Sequence, residues 1–375
     1  MSRLLDARIL SLMFMVIAFG CESQPGTETS SQAEAAQTIE KPEPAEAVAA
    51  EAKKPSEQIE PKNNKAPVAQ PLEEDTDKED LAQRYQALGG KVKQDEQGRL
   101  VVVDLHDTTA TDADLTGLSG AEMLKALDLR GSAVTDAGIQ GLADLKRLKL
   151  LKVSGKQITE ASVENIGRFP ALKVLGVDKT SIGDEGMKQV AAIENLEELY
   201  MAETPVTDAG IEALEGLAHL RRLRVSGTKI TDAALTTLGT IKSLRDLDLS
   251  TTAVTDAGLA GLAPLVELER LNLYTTAVTG AGVEKLTPLV GLVWLNLDQT
   301  KITDAALPHL LAFKKLEWLH LGRNAVTDKG LDALARLKQL KEVHITRTQV
   351  TPEGVEKLKK ALPECKIHAV VPEGK

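Results

Sequence analysis

From Leu100 onward the chain repeats one phrase of apolar and polar positions. Leucines stand at positions one, four and six, as in Leu244, Leu247 and Leu249, and after a short polar run an apolar residue returns at position eleven. The phrase opens at Leu100, Leu124, Leu148, Leu172, Leu196, Leu220, Leu244, Leu268, Leu292, Leu316 and Leu340, always 24 residues apart. Alternation over positions four to six predicts a short strand with positions three and five on its other face. Further on, Thr255-Asp256 precedes Leu259, Leu262 and Leu265. Threonine is a good N-cap, aspartate favours the positive end of the helix dipole, and the leucine spacing puts one apolar stripe on a short helix. Each unit has an apolar side that it cannot bury alone, so the eleven units over 100–363 are expected to stack.

A fixed period of 20–29 residues headed by L-x-x-L-x-L marks leucine-rich repeats. With Val134-Thr-Asp-Ala-Gly-Ile in the same frame, the chain resembles bacterial leucine-rich-repeat proteins of the V-T-D-A-G-L type, and the second half of the unit is similar to F-box-associated repeats. The resemblance implies an α/β solenoid, a horseshoe with a parallel concave sheet and short convex helices. Position nine is usually asparagine in such repeats, where it ties down the turn. Here it is Thr180, Thr204, Thr228, Thr252, Thr276, Thr300 and Thr348, with Asn324 as the family residue. A threonine hydroxyl does the same work more weakly. Gly258 and its equivalents Gly138, Gly186, Gly210, Gly282, Gly330 and Gly354 are expected to let neighbouring units approach closely. The T-D-A-G box is therefore structural and is assigned no chemistry.

The ends differ in character. Arg3 and Arg8 precede an apolar run from Ile9 to Phe19, a secretory signal over 1–20 too short for a comfortable membrane span. Gly20-Cys21 resembles a lipobox, which implies lipid attachment at Cys21, although Ala18 and Phe19 depart from the usual residues there. Residues 21–77, rich in Ala, Glu and Pro, cannot bury enough apolar surface to fold and read as a disordered stalk. A coil of that length has an end-to-end distance of about 40 Å. Residues 78–99 read as an N-terminal cap: a helix with Leu81, Tyr85 and Leu88 on one face, then Val92 and a hairpin turn around Gln94–Gly98. A last amphipathic helix, Gly354–Leu362, leads to a cap strand and tail over 364–375 in which Cys365 is expected to be a buried small hydrophobe.

Function is best sought on the sheet face that the core does not use. Position three runs Glu198, Arg222, Asp246 and Arg270, then Trp294, Trp318 and Glu342; position five includes Tyr200, Asn272, Asn296, His320 and His344. The alternating charges are expected to pair with one another across strands. Both tryptophans of the chain fall in one column, although aromatic residues make up only 2% of it. Trp294, Trp318, Tyr274, Asn272, Asn296, His320, His344 and Tyr200 form the candidate ligand surface, since Trp and Tyr dominate binding hot spots. The plainer reading is that each Trp covers neighbouring leucines.

Charge and chemistry narrow the rest. The net charge is −10, and residues 22–80 hold fifteen acidic and six basic residues, a balance of −9, so the repeats are nearly neutral. That gives no electrostatic case for nucleic acid. Two cysteines make no disulfide framework. His320 and His344 have no catalytic set around them; Asp248 shares their column but is three strands from His320, roughly 14 Å at normal strand spacing. A metal held by these two histidines alone would be weakly bound, so neither metal nor cofactor is expected. The expectation is a non-enzymatic module with a protein or peptide ligand on its concave face. The alternatives are a glycan stacked on the Trp pair and a plain envelope spacer. An F-box-type ligase adaptor fails, because no F-box precedes the repeats and an export signal does. Glu22 after the cysteine, where an aspartate would favour inner-membrane retention, places the expected anchor in the outer membrane.

Overall fold

In the computed structural model of the chain, residues 77 to 369 are described, apart from 143. The signal segment, Cys21, the stalk and Val370 onward lie outside the described residues. The first helix, Asp77–Ala87, is followed by β1 (Lys91–Gln94) and β2 (Leu100–Asp104), which pair antiparallel with an irregularity between Lys93 and Gln94. Then come β3 (Ala126–Asp128), β4 (Leu150–Lys152), β5 (Val174–Gly176), β6 (Glu198–Tyr200), β7 (Arg222–Arg224), β8 (Asp246–Asp248), β9 (Arg270–Asn272), β10 (Trp294–Asn296), β11 (Trp318–His320), β12 (Glu342–His344) and β13 (Lys366–His368). Among the described residues these make one 13-stranded sheet in sequence order, parallel from β2 onward. Every pair between β2 and β13 is in register at a spacing of 24 residues.

The leucine phrase builds the core as the pattern predicts. Leu244, Leu247, Leu249, Val254, Leu259 and Leu262 are all 0% exposed, and their equivalents continue the same layer along the sheet. Burying one such side chain contributes roughly 1.5–3 kcal/mol. The short helices pack behind the strands, and several are 3₁₀ rather than α, including Gly258–Leu262 and Asp304–Ala312. The buried apolar residues keep the same three-residue spacing in both kinds, Leu259 and Leu262 in a 3₁₀ helix and Leu235 and Leu238 in an α-helix.

Position nine acts as expected. The hydroxyl of each Thr donates back to the carbonyl three residues earlier, for example Thr276 to Leu273 at 2.7 Å. Asn324 does more, accepting from the Ile302 N–H at 3.0 Å and donating to the Leu297, Leu321 and Gly322 carbonyls. The position before it, unmarked by the pattern, is left-handed in all eleven units: Gly131, Gly155 and Gly227, but also Asp107, Lys179, Glu203, Thr251, Thr275, Gln299, Arg323 and Arg347.

The Thr-Asp pair turns out to join units as well as cap helices. Asp232 accepts both the Thr255 N–H, at 2.8 Å, and the Thr255 hydroxyl, at 2.6 Å, and that hydroxyl in turn accepts from the Ala257 N–H. The same rung recurs from Asp112 to Thr135, Asp136 to Thr159, Asp184 to Thr207, Asp208 to Thr231, Asp256 to Thr279, Asp304 to Thr327 and Asp328 to Thr351. Glu160 makes only the bond to the Gly183 N–H, and Gly280 has no side chain to offer Thr303. The box glycine makes room for this carboxylate: a Cβ on Gly258 would come 2.6 Å from Asp232 Oδ1.

Both caps form. Tyr85 is fully buried, with its hydroxyl donating to the Asp114 carbonyl at 2.9 Å. At the far end the helix Pro352–Ala361 leads into β13, which extends the sheet by one strand. Cys365 departs from expectation. It is half-buried, packed at the rim of the core past the last repeat among the described residues.

Candidate functional site

In-register parallel strands bring residues of equal phase side by side. Trp294 and Trp318 are paired across β10 and β11, their rings stacked with centroids 4.4 Å apart and planes 9° apart. The Arg270 guanidinium lies 4.6 Å from the Trp294 centroid, on the side of the preceding strand. On the other side Trp318 meets the His344 ring at 5.1 Å, tilted by 46°. Both tryptophans are half-buried. Their faces are thus taken up by the column itself, and solvent meets ring edges. The sequence expectation of a flat pair open to sugar stacking is corrected on this point: identical rings on adjacent parallel strands face one another along the sheet, not outward.

Asn272 and Asn296 lie beside this column on β9 and β10. Each side-chain oxygen accepts the N–H two residues on, from Tyr274 at 3.1 Å and Asp298 at 2.9 Å. That fixes the amide orientation and leaves both NH₂ groups as donors on the concave face. Tyr274 is not in the column. It stands on the turn after β9, with Arg323 5.2 Å over its ring and its hydroxyl 3.5 Å from Gln299. Tyr200 is farther still, four strands from Trp294, and belongs to the ion-pair ladder: its hydroxyl donates to Glu198 at 2.5 Å and accepts from Arg222 at 3.0 Å. Burial, with the Glu198 charge, pushes its phenol well up.

That ladder satisfies itself as expected. Arg222 reaches Glu198 at 3.4 Å and Asp246 at 3.1 Å, and Arg270 reaches Asp246 at 3.4 Å. Beside it lies a buried charged group that the pattern did not single out. Lys152 is 5% exposed with its ammonium 4.9 Å from the Tyr200 centroid, and burial pushes its pKa down. Burial likewise raises Asp178, whose carboxylate accepts the Ala202 N–H and lies 3.8 Å from Arg224.

The histidines form a longer column than the sequence reading allowed. His320, His344 and His368 occupy position five of β11, β12 and β13, with ring centroids 4.7 Å and 4.1 Å apart. His320 also has an acidic neighbour: its Nδ1 lies 3.6 Å from Asp298, a residue from the turn after β10 that is ion-paired with Arg323. Burial pushes His320 down to about 4. The two histidines weighed and set aside as metal ligands, His320 and His344, are also not the grouping that the fold brings together. Among the described residues, Glu342, His344 and His368 bring three donor atoms within 4.8 Å of one another, while His320 stays outside. The signal for His368 was the same 24-residue step from His344, concealed because Glu364 replaces the leucine that opens every other unit.

The family model described as a leucine-rich repeat region matches residues 106–371, well over half the chain. Among solved structures, an internalin (InlF) of Listeria monocytogenes is 17% identical with a TM-score of 0.53, covering 79% of this chain and 94% of that one. A leucine-rich-repeat protein of Leptospira interrogans is 19% identical with a TM-score of 0.43, covering 67% and 74%. No curated protein matches the sequence. At these identities the likeness to solved structures reaches the fold alone.

Proposed function

The chain belongs to the leucine-rich-repeat family, whose domains commonly bind proteins and peptides, and from that premise we propose a non-enzymatic receptor module with a protein or peptide ligand on the concave face between β9 and β12. The observation that carries this reading is the half-exposed Trp294–Trp318 stack in a chain with only 2% aromatic residues. Ring edges and an Arg-covered face suit apolar side chains. The amide donors of Asn272 and Asn296, on neighbouring strands, suit successive carbonyls of a peptide backbone. A sugar would need a bare ring face, and the column leaves none, so the glycan alternative is the less favoured. We also propose that the module is held at the cell envelope, in the outer membrane, by a lipid on Cys21.

A displayed peptide library selected on the purified chain tests the site, with a Trp294→Ala/Trp318→Ala variant checked for folding by circular dichroism. Peptides retained by the parent and lost by the folded variant support the reading. Peptides held equally by both would refute it, and glycan-array binding that depends on the tryptophans would favour the sugar alternative. For the anchor, a fatty-acid label should enter the parent in bacterial cells and not a Cys21→Ser variant. Labelling of neither removes the anchor from the reading.

A further inference from the structure

We propose that Glu342, His344 and His368 form a binding site for a late first-row divalent cation, with Zn²⁺ as its fitting occupant. Glu342 Oε1 lies 2.8 Å from His344 Nε2 and 3.0 Å from His368 Nε2. One oxygen and two imidazole nitrogens are the ligand types zinc takes, and donors held about 2.1 Å from a tetrahedral ion sit roughly 3.4 Å apart. The two distances from Glu342 are close to that spacing, and all three donors lie within 4.8 Å of one another.

A second observation is independent of the spacing. His368 Nε2 is buried but makes no aligned hydrogen bond, despite its 3.0 Å approach to the Glu342 carboxylate. A buried nitrogen left in that state costs free energy, and such exceptions call for an explanation. A cation between the three donors supplies one, since it gives the His368 nitrogen a partner for its lone pair.

The fold preorganises the set. Glu342 and His344 alternate on one strand face, and β13 adds His368 in register beside His344. The two rings are parallel within 4°, so their lone pairs run side by side, and capture needs one ring to turn about its Cβ–Cγ bond. The side chains are 31%, 20% and 32% exposed, so the cluster lies near the surface. Lys366, opposite Glu342, opposes the cation. An affinity short of that of a closed structural zinc site follows.

Calorimetric titration of the full chain with Zn²⁺ tests the site, beside His344→Gln, His368→Gln, Glu342→Gln and Cys365→Ser variants checked for folding by circular dichroism. One ion per chain is expected, with affinity falling about tenfold or more in each of the first three variants and unchanged in Cys365→Ser. An excess of Mg²⁺ should not compete, since it seeks oxygen cages. Co²⁺ substitution should give visible bands without thiolate charge transfer. No binding at high micromolar Zn²⁺, or binding that survives His368→Gln, overturns the proposal.

Discussion

At the scale of single residues, the recurring cost of this fold lies at position eight of each turn. An L residue with a side chain pays about 1–2 kcal/mol for left-handed backbone, and a β-branched one is worst placed. Thr275, at φ 54°, is such a residue, and its hydroxyl is also buried without a partner. Thr275→Gly should therefore raise the denaturation midpoint with an unchanged slope, by the equivalent of about 1 kcal/mol, despite the greater freedom glycine has when unfolded. A midpoint that falls would show that the turn is not strained there. This conformation could not be read from the sequence, because only three of the eleven positions are glycine. The hydrogen bonds made by the neighbouring position nine override local preference.

Between elements, the carboxylate rungs are the joint that the sequence hinted at and the structure defined. Aspartate at the helix start was legible as a dipole partner; that it reaches the next unit was not, since the Thr255 backbone and hydroxyl come into range only once the units stack. The missing rung at Gly280 allows a test. Gly280→Asp should bond the Thr303 N–H and hydroxyl, adding about 1 kcal/mol by a charge-assisted contact and raising Tm by about 2–4 °C. A Cβ there meets Ala306 Cβ at 3.2 Å, but Asp208 makes its rung beneath Ala234, so the space suffices. Slower amide exchange over 303–312 would locate the gain; unchanged exchange and Tm would mean the rung does not form.

For the whole molecule, rungs and caps link stability to acid. Hydrogen bonds from Thr351 hold Asp328 below the ordinary carboxylate range, and at Asp136 those from Ser162 and Thr159 overcome burial to the same end. At Asp114, burial is likewise outweighed, by Thr111 and Arg84. With folded values below the unfolded value of roughly 3.9, the stabilisation is fully present above that pH and lost as pH falls through the folded values. Tm should begin to fall below about pH 6.5, because the unfolded chain takes up a proton that buried His320 refuses until about pH 4, and drop further from about pH 4 downward, that second fall being less steep in an Asp136→Asn/Asp328→Asn variant. A profile level to about pH 2.5 would contradict this.

The sequence by itself determined the solenoid, its register and its core, because a strict 24-residue period lets each strand pair with the next in only one way that keeps Leu247 and its equivalents buried. It therefore also determined which side chains share a column, Trp294 with Trp318 and Glu198 with Arg222. Tertiary structure alone decided how those columns are used. Ring faces turn toward neighbouring strands, Tyr274 stands off on a turn, and Asp298 reaches His320 from another loop. It also decided that the expected cap strand joins the sheet in register, so that His368 stands beside His344 and near Glu342. Periodicity specifies position along the sheet, but the direction a side chain takes depends on neighbours 24 residues away, which become neighbours only when the chain is folded.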